Sequence, residues 1–276
     1  MRVLVAGGTG RLGALVVRRL ADEGVVVRVL TRDRSRAAGL QEVGVEVVEG
    51  DVRRPDTLAA AVQDVDVVVS AVHGFVGKGG VSPRSVDRDG NAHLVAAAGK
   101  AGAAVVLMSV VGASARSPME LFRCKHAAEQ GLRASGVEWT IVRSAAFLEL
   151  WAELVGKGLV FGAGQNPINF VSVHDVADEV TRAVLDAGSR GKVVEVLGPA
   201  CLTFNQLAAD LRARHGEPRR VHHVPRWVLR ILAPLGRQPR AALVMDTTDM
   251  TNRAVPGAHI GTTSLDQALA GSHAAR

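Results

Sequence analysis

The stretch VAGGTGRLGALVVRRL, Val5 to Leu20, sets Gly7, Gly8, Gly10 and Gly13 between an apolar run and an amphipathic one. Gly8, Gly10 and Gly13 spell G-x-G-x-x-G; Gly7, Gly10 and Gly13 spell G-x-x-G-x-x-G. Residues without a Cβ let the chain turn tightly and bring backbone N–H groups against a pyrophosphate, whose charge the start of a helix favours. Either spelling is weak alone and gains weight where the turn leaves a strand and opens a helix. Other chemistry-bearing groups are sparse. The chain has no tyrosine, so no phenol can pass a proton. Ser109 can donate a hydrogen bond to a developing oxyanion, Lys125 can supply charge, and His73 can shuttle a proton near neutral pH.

The elements around these residues alternate. RVLVA, VVVRVLT, VEVVEGD, VDVVVSAV, AAVVLMSV and VEWTIVRS read as six strands, apolar on both faces. Between them lie helical patterns: Arg11 to Gly24, Arg34 to Val43, Pro55 to Gln63, a long one from Pro83, and Pro118 to Gly136. Such alternation means an α/β fold with a doubly wound parallel sheet, Rossmann-like, covered on both sides. After about residue 145 the pattern loosens into NFVSV, a helix from Asp175, KVVEVLG and a helix from Thr203. The expected organisation is a dinucleotide-binding domain over residues 1–145. A smaller substrate-binding portion, residues 146–276, is interleaved with the same fold.

The end of the second strand selects the dinucleotide. An acid there accepts from the ribose 2′-OH of NAD, whereas a guanidinium suits the 2′-phosphate of NADP. This chain has TRDRSR, with Arg32 first and Asp33 next, so NADP(H) is favoured over NAD(H). The 276 residues carry a formal charge of +6, and 47% are hydrophobic while only 3% are aromatic. The core must therefore be built from Val, Leu and Ala. No nucleic-acid motif accompanies the charge, so a small-molecule substrate is expected and nucleic acid is not. Cys124 and Cys201 are far apart and lack metal-ligand spacing, as do the adjacent His222 and His223; no metal is expected. No signal peptide and no integral membrane segment are read, which gives a cytoplasmic expectation. Oligomeric state stays open.

Taken together, AGGTGRLG, LTRD, GDVRRPDTLAAAVQDVDVVVSAV, KHAAEQGLRASGVEWTIVR and FVSVHDVADEV resemble the atypical short-chain dehydrogenase/reductases, specifically the NmrA-like NAD(P)H-binding group. The resemblance spans about residues 1–215. It implies that Gly7, Gly8, Thr9, Gly10, Arg11, Leu12 and Gly13 cradle the pyrophosphate and Arg32 the ribose phosphate. Asp51 and Val52 would lie near the adenine, and Ala71, Val72 and His73 beside the nicotinamide. Lys125 would hold the nicotinamide ribose, Ser109 would close the fifth strand, and Ala145, Ala146 and Phe147 would flank the substrate. Asp175 would be structural, a cap or a tie between domains.

The family's better-known reductases use Tyr-x-x-x-Lys. Four residues before Lys125 stands Leu121, followed by Phe122, and neither carries a proton. The expected activity is hydride transfer from NAD(P)H to a small quinone-like or conjugated carbonyl acceptor, with Lys125, Ser109 and His73 as catalytic candidates. The alternatives are a non-catalytic NADP(H) sensor acting through a protein partner, and an assembly subunit holding a structural nucleotide. The glycine-rich loop HGFVGKGGVSPRS, with Lys78 and Arg84, is a candidate lid. In the tail, Trp227, Val228, Ile231 and Leu232 at helical spacing read as a lid or core contact in preference to a membrane-surface helix.

Overall fold

In a computed structural model the chain is described over residues 1–41, 44–75, 77, 79–215, 221–251 and 257–273. It divides into two compact units, Met1–Arg143 with Val176–Val194, and Ser144–Asp175 with Glu195–Arg276.

The first unit begins with β1 (Arg2–Ala6), α1 (Arg11–Asp22), β2 (Val26–Thr31), α2 (Ala38–Gln41), β3 (Glu46–Glu49) and β4 (Val67–Ser70). It continues with α3 (Asp89–Ala101), β5 (Ala104–Val110), α4 (Glu120–Ala134) and β6 (Trp139–Ser144), whose last residue enters the second unit. Its strands lie in the order β6-β5-β4-β1-β2-β3. The pairs among β3, β2, β1, β4 and β5 are all parallel. This is the Rossmann-like order, and the sense of winding reverses between β1 and β4, where doubly wound folds open a crevice. Register makes the strand ends level: Ala6 lies opposite Leu30 and Ser70, and Ser70 opposite Leu107. Residues leaving β1, β2, β4 and β5 therefore emerge at one edge. Leu4, Leu58, Val68, Leu94, Leu107, Leu132 and Ile141 form a core with no solvent exposure, aliphatic as the composition requires.

The second unit contains β7 (Ala146–Phe147), α5 (Leu148–Gly156), β8 (Leu159–Phe161) and β9 (Ile168–Val171), then the first residues of α6 (Val173–Leu185). It resumes within β10 (Val193–Leu197), followed by β11 (Cys201–Leu202), α7 (Phe204–His215) and β12 (His222–Val224). α8 (Arg226–Leu232), α9 (Arg237–Thr247), β13 (His259–Ile260) and α10 (Leu265–His273) complete it. Three small strand groups join here: β10 with β13, β11-β9-β7, and β12 with β8. No helix of the described residues is long and apolar enough to cross a membrane.

Three helical expectations differ in detail. Pro55 to Gln63 forms only a single 3-10 turn, Pro55–Thr57, followed by turns. There the Thr57 hydroxyl bonds the Arg54 carbonyl and competes with a regular helix, while Leu58 and Ala61 are buried by the turns themselves. Arg34 to Val43 resolves into a 3-10 turn over Arg34–Ala37 and the short α2; residues 42–43 lie outside the described residues. The long helix from Pro83 opens with a π-helical turn, Pro83–Arg88, capped reciprocally by Ser82 and Ser85.

Candidate functional site

The turn after β1 is shaped by two contacts that admit no side chain. Gly7 has φ +88°, and a Cβ on it would stand 2.6 Å from the Ala71 carbonyl oxygen at the end of β4. A Cβ on Gly13 would stand 2.2 Å from the Gly7 carbonyl oxygen, so α1 can close onto β1 only with glycine there. Gly10 is the N-cap of α1 and contributes no side-chain cap, and the first turn carries no acid. Neither a side-chain cap nor an acid thus competes for this helix start, where an anion suits both the N–H groups and the dipole. Thr9, Arg11 and Leu12 complete this turn, with Leu12 buried.

At the end of β2, Arg32 is exposed. Asp33 is exposed as well, and its Oδ1 accepts from the Ser35 backbone N–H at 2.9 Å and the Ser35 hydroxyl at 2.6 Å, capping the next turn. Those two bonds hold its pKa below the ordinary aspartate value. Asp51, after β3, is gripped by Arg53 through Nε and Nη2, and Arg53 reaches on to the Gly79 carbonyl at 2.7 Å. Partial burial would raise the Asp51 pKa, but the Arg53 hydrogen bonds and charge outweigh it and leave it lowered. Val52 is buried, and its carbonyl meets Nδ1 of His93 at 2.8 Å.

Beyond β4 and β5 lies a buried polar network. Lys125, on α4, is 4% exposed. Its Nζ donates to the carbonyls of Val72 at 3.1 Å and Met108 at 2.9 Å and stands 3.0 Å from Oδ1 of Asp87. Asp87 is wholly buried, and its Oδ2 accepts the Gly74 N–H at 2.8 Å. Asn91, one turn on, donates to the Asp87 carbonyl and meets the Ser70 hydroxyl at 2.5 Å. Lys125 was expected to hold a ribose; here its ammonium is enclosed by three protein oxygens and fastens the ends of β4 and β5. Ser109 is similarly engaged: its hydroxyl donates to Oε1 of Glu129 at 2.6 Å, leaving it only acceptor capacity. Glu129 also receives Nε and Nη2 of Arg143, at 2.9 and 2.7 Å, and faces Arg133 at 3.3 Å. Burial would push the Glu129 carboxyl up, but the Arg143 and Ser109 bonds and the guanidinium charges outweigh it, and its pKa is lowered.

His73, directly after the half-buried Val72, reaches solvent. Its Nδ1 accepts the Phe75 N–H at 3.2 Å, which assigns the proton of the neutral ring to Nε2. Loss of hydration at the crowded strand mouth lowers its pKa, with Asp87 opposing and Lys125 reinforcing the shift. The imidazole is thus neutral at pH 7, a hydrogen-bond donor through Nε2.

The expected lid has a fixed base. Asp87 holds the Gly74 amide, and the Ser85 hydroxyl donates to the Gly80 carbonyl at 2.8 Å; Lys78 lies outside the described residues. In the second unit, Ala145 is buried with its N–H on the Val196 carbonyl, and Ala146 and Phe147 form β7 beside Phe170 and Val171. Asp175 accepts from Thr263 Oγ1 at 2.7 Å and from the Thr262 and Thr263 amides, so the tie it makes lies inside that unit. Asp87, Asn91, Glu129 and Arg143 were not singled out from the sequence. A signal existed, because Asp87 and Asn91 share the spacing of the buried Leu94, Val95 and Ala98, which puts two polar residues on a core face.

A family model described as NAD(P)H-binding matches residues 7–187, the span from the glycine turn through α6. The chain belongs to this NAD(P)H-binding family, the NmrA-like branch of the atypical short-chain dehydrogenase/reductases. Among its relatives is an NAD(P)H azoreductase of Xenophilus azovorans, 32% identical over 225 residues, covering 79% of this chain and 75% of the relative. Another is the photosystem II assembly factor Ycf39 of Synechocystis sp., 31% identical over 245 residues, covering 86% of this chain and 74% of the relative. The fold matches that of a Citrobacter sp. triphenylmethane reductase solved with NADP(H), with a TM-score of 0.76 at 21% identity over 98% of this chain and 99% of the other.

Proposed function

We propose that the protein is an NADPH-dependent reductase passing a hydride to a small quinone-like or conjugated carbonyl acceptor. When bound, the nicotinamide cofactor supplies the hydride. The turn from Gly7 to Gly13 would hold its pyrophosphate, Arg32 its 2′-phosphate, and Ala71 and Val72 would line the nicotinamide side. The observation that carries the reading is His73, an exposed imidazole just past the carboxyl end of β4 whose Nδ1 is taken by the Phe75 N–H, which leaves the proton of the neutral ring on Nε2.

A conjugated acceptor spreads the incoming electron pair onto an oxygen that is itself a moderate acid. It needs a hydrogen bond as charge develops, and less help than an isolated ketone, which calls for a positioned strong acid. His73 Nε2–H supplies that bond, water then protonates the product, and the missing tyrosine is not required. Lys125 and Ser109 take part as positioning residues: they fix the ends of β4 and β5 through Val72, Met108 and Glu129. The azoreductase relative supports the same direction, since an azo group is also a conjugated acceptor.

Quinone reduction by NADPH tests this. His73→Ala should lower kcat about 10- to 100-fold with the KM for NADPH unchanged, while His73→Gln, which keeps an N–H donor, loses far less. Equal kcat in wild type and His73→Ala removes the assignment. The second reading, an NADP(H) sensor acting through a protein partner, is favoured by the assembly-factor relative. It requires dissociation constants that differ between NADPH and NADP+ in a protein that reduces no acceptor.

A further inference from the structure

The α8 and α9 pair of the second unit has two unlike sides. On the packed side Leu229 of α8 and Ala241, Ala242 and Met245 of α9 are buried. On the other side Trp227 and Ile231, one helical turn apart, are 64% and 62% exposed. Leu235, in the bend between the helices, is 80% exposed, and Leu232 lies open beside it. These four are among the largest apolar side chains left in water anywhere among the described residues, and they fall within nine positions. The tail residues expected to pack as a lid or core contact do so only through Leu229 and the half-buried Val228.

Charge singles out the same segment. Across α8, the bend and α9, residues 226–247, the sequence has four arginines, Arg226, Arg230, Arg237 and Arg240, against one acid, Asp246. These 22 residues thus carry half of the formal +6 of the whole chain, so the basic character is concentrated in this element. Arg226 is engaged by Asp246, which also accepts the Ala163 and Gly164 amides and so anchors α8 to the loop after β8. Arg230 and Arg240 are exposed.

We infer that this helical pair docks the protein peripherally on an anionic lipid bilayer. Exposed apolar side chains with a tryptophan among them, beside exposed arginines and with the pair's one acid, Asp246, buried, match the boundary between acyl chains and anionic headgroups. A nucleic acid would use the arginines but leave Ile231 and Leu235 in water. An acidic protein groove would use both, and a wild type that does not float with anionic vesicles would leave that occupant in place of the bilayer. At seven residues α8 lies in the interface and does not span it.

The full-length protein should float with phosphatidylcholine vesicles containing phosphatidylglycerol and not with phosphatidylcholine alone, and high salt should release it. Ile231→Glu and Leu235→Glu, both at exposed positions, should each reduce the bound fraction about tenfold with the thermal midpoint unchanged. Arg230→Gln should weaken binding about fivefold. The proposal falls if the wild type does not float, if it floats equally with both vesicle types, or if the glutamate variants bind as well as wild type. It falls also if light scattering shows a dimer in wild type that Ile231→Glu splits, because a second copy then covers the patch. Flotation is read without turnover or nucleotide, so its failure is separate from failure of the reductase reading.

Discussion

Two regions at the same edge of the first unit are built by opposite means. The turn after β1 works through its glycines: Gly7 and Gly13 let backbone approach backbone, and no side-chain cap or acid occupies the start of α1. The network after β4 and β5 works by having long charged side chains that claim one another, with Lys125 against Asp87 and Glu129 against Arg143 and Ser109. The first offers groups to a ligand. The second withholds them, and in doing so holds the strand ends where a ligand would meet them. Buried charges that satisfy each other contribute little net stability as pairs, yet removing one partner is costly. The comparison therefore predicts that the network is fragile even in nucleotide-free protein, whereas defects in the turn weaken binding as well as folding.

The largest effect should come from Lys125→Met, which strands the Asp87 carboxylate in a site with no exposure. Stability of the nucleotide-free protein should fall by about 3–5 kcal/mol in denaturant titration. Combining it with Asp87→Asn should cost less than the two single changes added together. If Lys125→Met instead keeps full stability and only weakens NADPH, the lysine is the free ribose contact that family resemblance implied. Gly13→Ala comes next. Its methyl would meet the Gly7 carbonyl at 2.2 Å, a backbone atom that cannot swing aside. A loss of about 1–3 kcal/mol is expected, together with loss of NADPH binding, because α1 must move off β1.

The same contrast explains what could be read beforehand. A glycine turn is a local signal: strand, bare turn and helix are contiguous, and the six aliphatic strands spell the parallel sheet by composition alone. The network is not local. Lys125 meets Val72, Met108 and Asp87 across 53, 17 and 38 positions. Spacing along α4 could show that Lys125 and Glu129 share a face, but not that this face is buried or which oxygens wait there. Ser109 and Lys125 were legible as residues of interest, while the partners that determine what they are free to do were not. The tail was read as a lid or core contact for a related reason, since apolar residues at helical spacing look alike whether they pack inward or face water.

Glu129 gives a test of the network that titrates. Its folded pKa lies below the ordinary glutamate value, so it contributes stability at neutral pH. That contribution is lost as pH falls below the ordinary glutamate range and through the folded pKa. Acid unfolding of wild type should be steeper there than that of Glu129→Gln, which is weaker at pH 7 and changes less on acidification. Matching acid slopes for the two proteins would mean that Glu129 is not held ionised by Arg143.

The smallest effect belongs to the end of β2, where both strategies stand side by side. Both side chains are exposed, and Oδ1 of Asp33 is engaged by the Ser35 amide and hydroxyl. An arginine on a 2′-phosphate makes charge-assisted hydrogen bonds worth about 1.5–3 kcal/mol. Arg32→Ala should accordingly weaken NADPH about 10- to 100-fold, measured by titration, and leave NADH within a factor of about two. Should both dinucleotides weaken equally, Arg32 contacts something they share. Should NADH bind more tightly than NADPH in the wild type, the exposed guanidinium is not a phosphate contact, and the Asp33 carboxylate is the group that meets the ribose hydroxyls.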